Sequence, residues 1–231
     1  MKPWILLDSA PIPGGGEMTL HRHVRDFAIR VGRDELMNSG THGSEEALAD
    51  LAAKRLGVRV SMRVLVGGLG MGFTVAAALR VVPSDGRITV AELVPAVVEW
   101  NRGHLAALAG NPLGDPRVEV HTGDVAELLR SQVAAYDLIL LDVDNGPHGL
   151  TTGDNHWLYG LAGLAAAHRA LRANGVLAVW SAGPDDAFTK RLGKAGFTAE
   201  AVRVAAHGSK GRKHVIWLAT ARQAPMERQR Q

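Results

Sequence analysis

The sequence predicts a Rossmann-like α/β domain with a mostly parallel sheet behind a small β appendage, and three observations carry that reading. From Arg63 onward, short apolar runs alternate with amphipathic segments, the pattern of parallel βα units. The first run ends in Gly67-Gly68-Leu69-Gly70-Met71-Gly72, a loop whose glycines let the backbone turn sharply and approach a ligand. The next three runs end in acidic residues: Glu92, Asp124 and Asp142.

The elements follow in order. Trp4 to Leu7, Thr19 to His23 and Asp26 to Val31 read as short extended pieces, and Pro11 to Gly16 is too rich in Pro and Gly for a helix. This predicts a β-hairpin appendage over residues 1–40. Ser44, followed by Glu45, Glu46 and apolar residues at helical spacing, predicts a helix from Ser44 to Arg55. The alternating part then reads as strand Arg63 to Val66, helix Phe73 to Val81, strand Arg87 to Ala91 and helix Pro95 to Ala107. It continues with strand Arg117 to His121, helix Val125 to Ser131 and strand Tyr136 to Leu141. A helix from Asn155 to Leu171, a strand from Gly175 to Trp180 and a helix from Asp185 to Ala195 come next. Glu200 to Ala206 and His214 to Thr220 close the chain as strands around a glycine-containing hairpin loop. The ligand-binding domain is expected over residues 41–221, with a flexible tail at 222–231.

Bulk properties narrow the class. A chain of 231 residues, 46% hydrophobic and 21% charged, suits one globular core. No apolar stretch reaches the ~18 residues of a membrane span, and the N-terminal apolar run is cut at Asp8, too short for a signal peptide. The expectation is a cytoplasmic protein with no membrane partner. The absence of cysteine excludes disulfides, a thiolate nucleophile and Cys-ligated metal. The pI is about 9.5, but 26 basic against 23 acidic residues is a small surplus, read as solvated charge rather than a nucleic-acid surface.

The polar residues at strand ends define the candidate site, because ligands of open parallel sheets bind outside the carboxyl ends of the strands. Gly68, Gly70 and Gly72 permit close approach to a ligand, and the helix that follows offers free N–H groups. Glu92, twenty residues past Gly72, has the spacing at which a carboxylate accepts from ribose hydroxyls. Nicotinamide and S-adenosylmethionine sites share these features. Phe73 stands where a dinucleotide fingerprint wants its third glycine, and Gly123-Asp124 offers a carboxylate to an adenine amino group, so an S-adenosylmethionine-type donor is favoured. His42 with Glu45 and Glu46 forms no metal set, since adjacent carboxylates on a helix diverge and no third ligand is spaced to join them. A lid or donor contact is the expected use, and no metal is expected. His148 is read as a loop residue or an acceptor-site base, Asn155 as an N-cap or, with His156, an acceptor contact, and Trp157 and Trp180 as residues near the active face.

Across nearly the whole chain, the sequence resembles the spermidine synthase family, a branch of the class I S-adenosylmethionine-dependent methyltransferase fold. The resemblance lies in His42-Gly43-Ser44-Glu45-Glu46, the glycine loop, Glu92, Gly123-Asp124, Tyr136 to Asp142, and Leu158-Tyr159. It implies a seven-stranded, mostly parallel sheet with an antiparallel C-terminal strand. It implies a donor site built from Gly67, Gly68, Gly70, Gly72, Glu92, Leu93, Gly123, Asp124, Val125, Asp142 and His42. Within that site Glu92 would take the ribose, Asp124 the adenine and Asp142 a substrate amine, and a homodimer would form through the N-terminal strands.

Two departures bear on the reaction. The family carries an Asp in the glycine loop where this chain has Gly70, and a second amine-facing carboxylate where this chain has Asn145, unless Asp144 substitutes. The expectation is therefore methyl transfer from S-adenosylmethionine to a small polar acceptor, an amine included. Asp142 or Asp144 would orient and deprotonate the acceptor, with Asn145 and Tyr159 as neutral contacts. Three alternatives stay open: a spermidine synthase-type aminopropyltransferase using decarboxylated S-adenosylmethionine, a non-catalytic nucleotide-binding or dimerisation module, and an RNA modifier using the basic tail.

Overall fold

A computed structural model describes residues 2–143, 146–148, 155–207 and 210–222. The N-terminal part is more than a hairpin. Strands β1 (Ile5–Pro11), β2 (Glu17–His23), β3 (Asp26–Val31) and β4 (Asp34–Asn38) form an antiparallel four-stranded sheet in that order. Sequence reasoning missed β4 because Asp34 and Glu35 open it and hide its short apolar run. Its pairing with β3 places Met37 opposite Ile29.

Helix α1 (Gly43–Leu56) leads into strand β5 (Arg63–Gly67), helix α2 (Phe73–Val81), strand β6 (Arg87–Glu92), helix α3 (Pro95–Arg102) and strand β7 (Val118–Thr122). Helix α4 (Val125–Ser131), strand β8 (Tyr136–Leu141), helices α5 (Asn155–Leu158) and α6 (Leu161–Ala170) and strand β9 (Leu171–Ser181) follow. Helix α7 (Asp186–Lys194) and strands β10 (Phe197–His207) and β11 (Lys210–Ala221) complete the chain. The second sheet has seven strands in the order β10-β11-β9-β8-β5-β6-β7. β9, β8, β5, β6 and β7 run parallel, and β11 lies antiparallel between β9 and β10. From β5 the chain winds outward through β6 and β7, then returns to the other side at β8. The gap between β5 and β8 is thus the switch point at which such sheets open a cleft.

Alternation along the strands divides the interior. Val64, Val66, Ile88, Val90, Leu138 and Leu140 face α1, α2 and α3, and Leu20 and Ile29 of the N-terminal sheet join the same cluster. Leu65, Ile139, Leu141, Leu177 and Val179 face the opposite way, toward α4, α6 and α7. All six residues of β8 are buried, including Asp137, which accepts from the Arg63 N–H and the Arg172 guanidinium, each at 2.9 Å. The N-terminal sheet therefore shares a hydrophobic cluster with the helices on one face of the larger one.

Several boundaries differ from the periodicity: β9 starts at Leu171 rather than Gly175, and β10 and β11 run past the expected Glu200 to Ala206 and His214 to Thr220 at both ends. The helix expected to reach Ala107 stops at Arg102, where the Gly103 N–H closes onto the Glu99 and Trp100 carbonyls and turns follow. The single helix expected from Asn155 to Leu171 breaks at Gly160, which has extended backbone and caps α6. Ser44 is not the N-cap of the first helix: that place belongs to His42, and the Ser44 hydroxyl is used elsewhere. Among the described residues no helix is long and apolar enough to cross a membrane.

Candidate active site

The cleft opens at the carboxyl ends of β5, β6, β7 and β8, roofed by side chains of the N-terminal sheet. Gly68 and Gly70 form its floor, Glu92, Leu93, Asp124 and Val125 one wall, and Asp142, Val143 and Trp180 another; Ile12, Met18, Ile29, Val31 and Met37 close it from above.

The glycine loop is held on all sides by backbone contacts. The Gly68 N–H donates to the Ala91 carbonyl at 2.9 Å, and the Asp142 N–H to the Gly67 carbonyl at 2.9 Å, so the loop extends both flanking ladders. Gly68 has φ +88°, and a Cβ there would stand 2.3 Å from the Asp142 carbonyl oxygen. At Gly70, φ +52°, a Cβ would meet Met37 Cε at 2.8 Å. Gly72 takes the left-handed conformation as N-cap of α2. Asn101, a polar residue on the buried face of α3, was not singled out from the sequence; its amide donates to the Gly70 carbonyl at 2.8 Å and the Val97 carbonyl at 2.9 Å. Its signal was an asparagine at the helical spacing of buried Val97 and Val98.

Glu92 faces the cleft from the end of β6 and also ties the loop down. Its carboxylate accepts the Leu69 N–H at 2.9 Å and the Val94 N–H at 2.8 Å. Burial pushes its carboxyl above the usual range, and the backbone N–H groups of Val94, Leu69, Gly70 and Leu93 pull the other way. Asp124 caps α4 by accepting from the Ala126 N–H at 2.8 Å, so it joins wall and cap. Carboxylates in these places can accept hydroxyl and amino donors of a nucleoside.

Asp142 ends β8 beside the glycine loop. The Thr74 hydroxyl, at the start of α2, donates to its Oδ2 at 2.5 Å. Burial foremost, then the negative charge of Glu45, push this carboxyl up to about 7 against that hydrogen bond. A carboxylate poised there can take a proton near neutral pH. Glu45, from the first turn of α1, lines the same cleft, and burial raises its carboxyl in turn.

Other expected site residues stand elsewhere. His42 does not line the cleft: its Nδ1 pairs with Glu46 Oε1 at 2.9 Å and its ring stacks on Phe73, 4.1 Å between centroids. Tyr159, expected beside the acceptor, is instead 3% exposed in the core, where its hydroxyl donates to the Val143 carbonyl at 3.2 Å and its ring meets Phe188 edge-on. It braces the segment after β8 from behind. Trp157 likewise turns away and carries the Arg130 guanidinium over its ring at 3.9 Å, whereas Trp180 lines the cleft. Asp144 and Asn145 lie outside the described residues. Among the described residues no group of three His, Asp or Glu is arranged to hold a metal.

Known proteins share this sequence domain and this fold. Residues 44–185 match the spermine/spermidine synthase domain, more than half of the chain. Among solved structures, a spermidine synthase in complex with the transition state analogue AdoDATO superposes with a TM-score of 0.74 at 18% identity, covering 96% of this chain and 74% of that one. The spermidine synthase from Thermotoga maritima gives 0.73 at 17% identity over 96% and 74% of the two chains. A probable spermidine synthase from Corynebacterium glutamicum gives 0.68 at 16% identity over 95% and 81%. No curated protein matches the sequence. At these identities the superpositions establish the shared fold. By the match across residues 44–185, the chain belongs to the spermine/spermidine synthase domain family.

Proposed function

We propose that the protein is an aminopropyltransferase that moves the propylamine arm of decarboxylated S-adenosylmethionine onto a small amine. One observation carries the reading: the described side chains lining the cleft include four carboxylates, Glu45, Glu92, Asp124 and Asp142, and no Lys, Arg or His. An intact donor would bring its methionine carboxylate into this acidic pocket with no cationic side chain among the described lining residues to meet it, whereas a decarboxylated donor brings only positive charge. Methyl transfer, expected from the loss of the loop carboxylate at Gly70 and the second carboxylate at Asn145, is therefore replaced. That expectation overlooked Glu45, which restores an acid beside Gly70. Membership of the family supports the same choice.

In this reading Glu92 accepts from the ribose, Asp124 from the adenine, and Gly68 and Gly70 let the loop lie against the donor. The neutral acceptor amine attacks the carbon next to the sulfonium. A C–N bond forms, the C–S bond breaks with its electron pair returning to sulfur, and a neutral thioether leaves. The proton released from nitrogen passes to the Asp142 carboxylate, and the apolar roof of Met18, Ile29 and Met37 keeps water from competing. Asp144 and Asn145, next along the chain from Val143, remain proposed contacts to the acceptor. A homodimer is also part of the proposal; the exposed Trp4, Ile5 and Leu6 at the outer strand of the N-terminal sheet support it.

The test is turnover. Purified protein incubated with decarboxylated S-adenosylmethionine and 1,4-diaminobutane is expected to release 5′-methylthioadenosine and the triamine formed by adding one aminopropyl group to the diamine, read by mass spectrometry. A methylated product from intact S-adenosylmethionine, with no aminopropyl product, would overturn the proposal.

A further inference from the structure

Glu45 and Glu46 are neighbours on α1 with opposite surroundings. Glu46 turns outward to His42, at 2.9 Å, and Arg80, at 3.7 Å. Glu45 turns into the recess beside Gly70, Met37, Thr74 and Asp142, and among the described residues no Lys or Arg pairs with it.

Its orientation is imposed. The fully buried hydroxyl of Ser44 donates to Glu45 Oε2 at 2.6 Å and lies 2.9 Å from Nδ1 of His214, on β11. A hydroxyl has one proton, and with that proton on the carboxylate, Ser44 accepts from His214 Nδ1–H. A chain of hydrogen bonds thus runs from β11 through the first turn of α1 to the cleft and aims the Glu45 carboxylate. Two facing acids without a basic partner are costly when desolvated, and a ligand cation removes that cost. Met37 and Phe73 line the recess too, so its walls suit a methylene stem and its acids an ammonium head. Met37 also occupies the space that a side chain at position 70 would need, leaving Glu45 to supply the charge there.

We infer that Glu45 captures a primary alkylammonium group in this recess, opposite Asp142, and that Ser44 and His214 are its positioning residues. The inference rests on the adenosyl-donor reading above and deepens it by assigning the residue that selects an amine-bearing ligand. The ammonium belongs either to the donor's propyl arm or to the acceptor, and both present the same chemistry.

Calorimetry on the full chain and its Glu45→Gln variant separates the sources, with 5′-methylthioadenosine as the amine-free reference. Titrating decarboxylated S-adenosylmethionine reports the donor arm; titrating 1,4-diaminobutane into protein saturated with 5′-methylthioadenosine reports the acceptor. Glu45→Gln is expected to weaken one amine ligand at least tenfold while 5′-methylthioadenosine binds within twofold of the parent, which also shows the variant folded. The ligand that weakens names the source. Ser44→Ala is expected to raise KM for that ligand with kcat held within twofold, a split that general damage to the fold would not produce. Unchanged binding of both amine ligands by Glu45→Gln overturns the inference and leaves the donor reading standing. Failure of the parent protein to bind any of the adenosyl ligands overturns both.

Discussion

The Thr74 hydroxyl donates to Asp142 Oδ2 at 2.5 Å, joining the first turn of α2 to the end of β8 across the floor of the cleft. This bond is the one contact that lowers the Asp142 carboxyl while burial and Glu45 raise it to about 7. The residue proposed to take the acceptor's proton is thus tuned by its neighbour.

Thr74→Val keeps the shape and removes the donor. A hydrogen bond to a charged group contributes about 1.5–3 kcal/mol, and one pKa unit corresponds to about 1.4 kcal/mol. The acidic limb of the kcat/KM profile is expected to move up by about one unit. An unmoved limb would show that Thr74 does not tune this carboxyl.

Asp142→Asn is expected to lower kcat by about 10²–10⁴-fold, the usual contribution of a positioned base, and to raise stability above neutral pH. The folded carboxyl near 7 lies above its ordinary 3.8, so the folded state holds the proton more tightly. The stability linked to this group is complete below about pH 4 and is lost as pH rises through 7. The amide does not titrate, so the variant is expected to melt higher than the parent at pH 8 and alike at pH 4. Each kcal/mol gained raises Tm by about 2–4 °C. Thermal unfolding at the two pH values checks this.

Gly68→Ala places a methyl 2.3 Å from the Asp142 carbonyl in a backbone with φ +88°. The β5 and β8 ends must separate, at a cost of about 1–3 kcal/mol from backbone strain alone. Lower stability and loss of adenosyl-donor binding are expected together, by denaturant titration and calorimetry.

Tyr159→Phe removes a hydroxyl that donates to the Val143 carbonyl from within the core. A change in stability of about 1 kcal/mol and turnover within twofold of the parent are expected. A hundredfold loss of kcat would place Tyr159 back at the acceptor.

The floor and one wall of the cleft were legible in the sequence because their parts are local. The glycine loop, Glu92 and Gly123-Asp124 each sit at the end of an apolar run, and a parallel sheet gathers such ends at one edge. The rest of the cleft depends on contacts between distant segments. Which of Glu45 and Glu46 enters the cleft is decided by Ser44 and His214, 170 residues apart. Met37 closes the roof from a strand whose opening Asp34 and Glu35 hide its character. Tyr159 turned inward because the helix breaks at Gly160 and leaves its ring facing Phe188, a break that helical periodicity through Leu158, Leu161 and Leu164 does not reveal.

This cleft is proposed to select a donor without a carboxylate. Calorimetric titration with decarboxylated and intact S-adenosylmethionine tests it most directly. The acidic lining predicts tighter binding of the decarboxylated donor by at least tenfold, about 1.4 kcal/mol; equal or tighter binding of the intact donor would rule out this selectivity.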